Sequence, residues 1–166
     1  MNRRLFLALS YFVLTACSRS PVSFRNTDLT GASFGRGFEL PDQHGQFRSL
    51  KDFHGRVVVI FFGYTSCPDI CPTMLARLAE VMKTLGPAAQ KVQVLFVTVD
   101  PERDSEARLK DFVTWFHPSF LGLRGDVGQT KAVADEFRVF SARKEVGSEL
   151  GYLLDHSSGA YIFDPG

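Results

Sequence analysis

The sequence predicts an α/β domain, a central sheet flanked by helices. Three observations predict it. Val57–Phe62 is an unbroken apolar run, as in strands covered on both faces. VQVLFVTVD at 92–100 is a second run of the same kind. Around them lie segments with apolar residues at helical spacing, so strands alternate with helices, the order that gives parallel central strands. The chain has 166 residues, 45% hydrophobic, with 16 Phe. That is enough for a real core without a disulfide scaffold. The formal net charge of +1, with no clustered basic excess, argues against a nucleic-acid surface.

In chain order, Arg3 and Arg4 precede an apolar stretch, Leu5 to Leu14, within signal-peptide length and too short to span a bilayer. LTAC at 14–17 resembles the lipobox of bacterial lipoproteins, and RRLFL at 3–7 is weakly similar to a twin-arginine export signal. Residues 1–16 are therefore expected to be a lipoprotein signal peptide, with Cys17 the lipid-attachment residue. A plain signal peptide or an N-terminal membrane anchor is the alternative. Cleavage would remove two Arg and no acidic residue, turning the net charge from +1 to −1. Residues 17–36, rich in Ser, Gly, Arg and Thr, are read as a tether and 37–166 as the domain.

Residues 38–55 alternate apolar and polar around a Gly turn, which predicts a small edge hairpin at the N-terminal side of the domain. After the first core strand, residues 72–86 place Leu75, Leu78, Met82 and Leu85 at helical spacing, closed by Gly86-Pro87. Asp100-Pro101 breaks the second strand. Residues 105–116 put Leu109, Phe112, Val113 and Phe116 on one face, with Ser105 as N-cap. A third helix is expected over 128–138, using Val133, Ala134 and Phe137. LGYLLD and AYIFD read as two short strands around DHSSG. The closing DPG is a turn that normally leads into a further strand, so a C-terminal strand and a closing helix are expected beyond residue 166.

With Cys17 assigned to lipid, Cys67 and Cys71 remain as a pair in an exported, oxidising compartment. They lie in the loop that follows the first core strand, where open α/β sheets place their sites. Cys71 opens the first amphipathic helix, whose N-terminus favours thiolates, while Asp69 opposes that effect. Pro68 and Pro72 stiffen the loop. A redox pair resembles the C-x-x-C logic of βαβ units, but here three residues intervene, leaving room for an ion. Two thiolates suit Cu(I) or Zn(II). A static disulfide would close too short a loop to stabilise much.

A third ligand would be expected for a metal, typically imidazole. His44 and His54 sit beside glycines in turns, and His117 ends a helix before Pro118. His156 differs, standing between two apolar strands next to Asp155, which could orient its ring as an outer partner. Its plain alternative is a turn residue in DHSSG. Asp100, Pro101, Arg103 and Asp104 read first as a strand terminator and helix-entry loop, with docking or loop shaping as the functional alternative.

GYTSCPDICPTML at 63–75, VTVDPERD at 97–104 and DHSSGAYIFDPG at 155–166 together resemble the Sco/SenC family, copper-binding assembly factors of cytochrome c oxidase. TDLTGASFGRGFEL at 27–40 and HGRVVVIFFGY at 54–64 are similar as well. The resemblance implies a thioredoxin-like fold and one copper, Cu(I) or Cu(II), held by Cys67, Cys71 and His156. It implies a metallochaperone that delivers copper to the dinuclear copper site of cytochrome c oxidase subunit II. Two alternatives share the site: a thiol–disulfide oxidoreductase acting through Cys67 and Cys71, and a periplasmic copper or redox sensor. The implied partners are that subunit and another periplasmic copper chaperone or thiol reductant. The implied location is the bacterial cell envelope, lipid-anchored, with the domain facing the periplasm.

Overall fold

The computed structural model describes residues 25–146 and 151–166. The expected signal segment 1–16 and lipid-attachment residue Cys17 lie outside the described residues. The chain divides into two compact units, Met1–Ala32 and Ser33–Gly166. In the first, the Ala32 N–H donates to the Leu29 carbonyl at 2.9 Å and the Thr30 N–H to the Asp28 carboxylate at 2.9 Å.

The second unit begins with the expected edge hairpin, β1 (Leu40–Pro41) against β2 (Phe47–Arg48), antiparallel. Buried Asp42 holds its turn, accepting the His44 N–H at 2.8 Å, the Gln46 N–H at 3.0 Å and Arg48 Nε at 2.8 Å.

The two apolar runs form β3 (Val57–Gly63) and β4 (Val92–Thr98), paired in parallel from Val57↔Val92 to Gly63↔Thr98. Between them runs α1 (Ile70–Leu85); after β4 come α2 (Glu106–Phe116), β5 (Leu121–Leu123) and α3 (Val127–Glu136). The chain then forms β6 (Ser141–Glu145), β7 (Tyr152–His156) and β8 (Ala160–Phe163). The central sheet has the order β5-β4-β3-β8, with β8 antiparallel to β3, so it is mixed.

Strand alternation sends successive β3 side chains to opposite faces, and both faces are covered. Val58, Ile60 and Phe62 join Leu40, Phe53, Val133 and Phe137 in one core layer. Val59 and Phe61 join Leu75, Met82, Phe96, Leu109 and Val113 in the other, beneath α1 and α2. Cys71 belongs to this second layer, which places the thiol loop on the α1 and α2 side of the sheet.

Three features depart from the sequence reading. Leu85, expected on the buried face of α1, is exposed, because the core beneath that helix ends at Met82. β5 is only three residues long, too short to carry a period, and exists by pairing with β4. β6 reads SARKE, almost wholly exposed, and becomes a strand only through its ladder with β7. LGYLLD and AYIFD consequently serve different sheets: β7 makes a two-stranded ribbon with β6, whereas β8 joins the centre. Among the described residues, no helix is long and apolar enough to cross a membrane.

Candidate metal centre

β3 ends at Gly63, and the backbone must pass very close to Cys71 there. A methyl group at residue 63 would lie 2.7 Å from Cys71 Sγ and 2.8 Å from Phe96 Cε2, so only glycine fits. The chain then turns through Tyr64–Cys67, with the Cys67 N–H donating to the Tyr64 carbonyl at 3.2 Å. Cys67 is half-buried; Pro68, Asp69 and Ile70 are exposed; Cys71, in the first turn of α1, is fully buried. Both cysteines are free thiols.

His156, 85 residues further on, closes the site from the end of β7. Its Nε2 lies 3.4 Å from Cys71 Sγ. The ligand atoms of Cys67, Cys71 and His156 all lie within 4.8 Å of one another, the cluster with metal-ligand geometry among the described residues. The imidazole stands edge-on to Tyr64, at 5.8 Å between centroids, and to Phe61, at 6.3 Å. Tyr64 also fixes β7 directly, its hydroxyl accepting the Leu154 N–H at 3.3 Å.

The ring's other nitrogen sets its tautomer. Nδ1 lies 2.9 Å from the Ser157 carbonyl, which can only accept, so Nδ1 carries the hydrogen and Nε2 turns a lone pair toward the sulfurs. Asp155, expected from sequence to orient the ring, is exposed, and the backbone carbonyl takes that place. The reason is strand alternation, which points neighbours in β7 to opposite faces. His44 and His54 are exposed, and His117 Nδ1 accepts the Ser119 N–H at 3.2 Å, a local contact at the end of α2. These three stay apart from the sulfurs.

The electrostatics of Cys71 differ from the expectation of a helix-stabilised thiolate. Burial pushes its pKa well above the ordinary thiol range; the Tyr64 backbone N–H pulls the other way, and the nearby Cys67 and Asp104 add to the rise. Desolvation therefore outweighs that backbone bond, the one contribution that favours the thiolate. A buried thiol of this kind surrenders its proton readily only when a soft cation, or a second sulfur, compensates the buried charge.

The sign of the resulting pH dependence follows. The unfolded chain loses the Cys71 proton near the usual thiol value of about 8.5, whereas the folded chain retains it. Stability is thus fully present below that pH and falls as pH rises above it. Burial also raises Tyr64, Tyr152 and Tyr161, extending the decline above about 10. Urea midpoints of reduced, metal-free protein are expected to drop from pH 8.5 to 10, and to drop less in Cys71→Ser; equal profiles would contradict the assignment.

Sequence reading missed several residues that build this site. Tyr64 and Tyr152 carry no signal in the sequence reading, and two of the three acidic residues of DPERD, Asp100 and Asp104, are buried, while Glu102 is exposed. Asp104 accepts from Thr65 N at 3.0 Å, from Thr65 Oγ1 at 2.5 Å and from Thr98 Oγ1 at 2.6 Å. The available signal was the pair of carboxylates at the end of an otherwise apolar strand.

Residues 26–166 match the SCO1/SenC family model. The chain is 42% identical over 131 residues to an SCO2-like protein of Rickettsia felis, covering 78% of this chain and 64% of that one. It is also similar to the copper-bound structure of Bradyrhizobium japonicum ScoI, with 38% identity, a TM-score of 0.75 and coverage of 80% and 84% of the two chains. Copper-bound yeast Sco1 is 40% identical, with a TM-score of 0.71 and coverage of 80% and 75%. The chain spans just under two thirds of the length of the Rickettsia relative. These likenesses, with the observed sheet, show the thioredoxin-like fold.

Proposed function

This chain belongs to the SCO1/SenC family, and from that premise we propose that it is a copper metallochaperone of cytochrome c oxidase assembly. One observation carries the reading: two thiol sulfurs and an imidazole nitrogen, drawn from segments 85 residues apart, lie within 4.8 Å of one another. Soft thiolates with one borderline nitrogen suit Cu(I), and the imidazole also accommodates Cu(II). The copper-bound neighbours support that choice of metal over zinc.

Copper is the cargo. Cys67 and His156 are half-buried and meet the ion first; Cys71 lies deepest and releases its proton as the ion binds. Three ligands leave copper coordinatively open, so a thiol of the acceptor can attach before Cys67 detaches. The acceptor we propose is the dinuclear copper site of oxidase subunit II, and the donor another periplasmic copper chaperone. LTAC at 14–17 supports a lipid anchor at Cys17 in the cell envelope, with the domain facing the periplasm.

A second reading is favoured by one feature, the accessible thiol of Cys67 ahead of a buried Cys71. In thiol–disulfide exchange Cys67 would attack a disulfide of the acceptor, and Cys71 would resolve the mixed disulfide. The acceptor would leave with two thiols and this protein with a Cys67–Cys71 disulfide. Anaerobic titration with Cu(I) against a chromophoric chelator tests the carrier reading. Reduced protein is expected to take up one equivalent, and protein oxidised to the disulfide none. Equal uptake in both states would reject it.

A further inference from the structure

We propose that the Asp100–Asp104 loop is a brace joining the two ligand-bearing segments, with Asp100 and Tyr152 as positioning residues for His156. The inference rests on the reading of His156 as a ligand. A loop that only ended β4 and began α2 would need little more than Ser105, whose hydroxyl caps the helix by accepting the Arg108 N–H at 3.2 Å. Yet Asp100 and Asp104 are 3% and 0% exposed. Buried carboxylates are costly unless fully bonded, and these two bond in opposite directions.

Asp104 reaches the cysteine loop. It accepts the Thr65 N–H and hydroxyl, and Arg108 adds bonds to Thr65 Oγ1 at 2.7 Å and Ser66 Oγ at 3.0 Å. The two residues before Cys67 are thereby pinned. Asp100 reaches the histidine ribbon. Its Oδ1 accepts the Tyr152 hydroxyl at 2.8 Å and its Oδ2 accepts Arg103 Nε at 2.5 Å. Arg103 also donates to the Tyr152 carbonyl at 2.8 Å and lies 3.5 Å above the Tyr152 ring. Thr98 links the halves: its hydroxyl accepts the Asp100 N–H at 2.9 Å and donates to Asp104 at 2.6 Å. The bonds run without a break from Tyr152 to Ser66.

Tyr152 and His156 open and close β7, four residues apart and on the same face, about 13 Å along the strand. β7 takes its ladder from β6, not from the central sheet. Among the described residues, and besides the Cys71 contact itself, the hydrogen bonds that tie β7 to the rest of the domain are the Tyr152 clamp and the Leu154 N–H on Tyr64; the Ser157 bonds to Phe140 only extend the ribbon's own ladder. Tyr152 is the attachment farthest from the imidazole, so it controls the tilt.

The experiment compares wild type, Asp100→Asn, Tyr152→Phe and, as a control, Tyr161→Phe, which removes a phenol bonded to the Phe137 carbonyl on the other core layer. In metal-free protein, amide exchange in β6 and β7 is expected to quicken at least tenfold in the first two variants, with β3 and β4 unchanged. In copper-loaded protein, Cu(I) affinity is expected to fall about tenfold with the sulfur count intact and the nitrogen signal weakened. Tyr161→Phe should do neither. Exchange and affinity within twofold of wild type in both variants would overturn the brace, as would uniform loss of protection across the sheet with affinity unchanged. If His156→Ala weakens copper binding while Tyr152→Phe does not, the brace fails and the metal site stands. If ribbon exchange quickens but His156→Ala leaves affinity unchanged, the ligand reading has failed, and the brace falls with it for want of a ligand to position.

Discussion

Cys71→Ser is expected to lower Cu(I) affinity by on the order of 10³-fold or more, beyond the 10–100-fold that loss of an outer partner costs. A serine hydroxyl stays protonated and is a hard donor, so it cannot replace a thiolate toward a soft ion. The site would be left with Cys67 and His156, both half-buried and open to competing water. The fold should survive, because the hydroxyl can donate to His156 Nε2 where Cys71 Sγ now lies 3.4 Å away. Burying it costs about 1–3 kcal/mol at most. Chelator competition reads the affinity and urea unfolding reads the stability. Near-normal copper binding by a folded Cys71→Ser protein would remove Cys71 from the site.

His156→Ala is expected to lower Cu(I) affinity by more than the roughly tenfold of Tyr152→Phe and by less than the roughly 10³-fold of Cys71→Ser, while leaving both thiols and their exchange chemistry intact, since two-sulfur coordination of Cu(I) persists. The stability change should stay below about 1 kcal/mol, because the ring is half-buried at a ribbon end. This variant separates the two functions. A carrier should fail to support oxidase assembly when His156 is lost, whereas a thiol–disulfide oxidoreductase should continue. Full oxidase activity in cells carrying His156→Ala would favour thiol exchange.

The sequence made the central architecture legible because β3 and β4 are covered on both faces and announce themselves as apolar runs. The helices followed from periodicity, and Ser105 caps α2 as its position suggested. β5 and β6 were not legible: a three-residue strand has no period, and SARKE is a strand only because β7 lies beside it. The thiol pair was visible from spacing alone. His156 was not, since DHSSG reads equally well as a turn, and the family resemblance was needed to prefer it as a ligand. Asp155 stood next to it in sequence but faces away in the strand. The buried roles of Asp100 and Asp104 were hidden because Tyr152 and Thr65, their partners, lie 52 and 39 residues distant.

The central claim is that two sulfurs and one imidazole converge on a single copper ion. X-ray absorption at the copper edge, on reduced protein loaded with one equivalent, tests it most directly. Two sulfur neighbours and one nitrogen, with the nitrogen lost in His156→Ala, are predicted. Two sulfurs alone in the wild type, or a nitrogen that survives in His156→Ala, would contradict it.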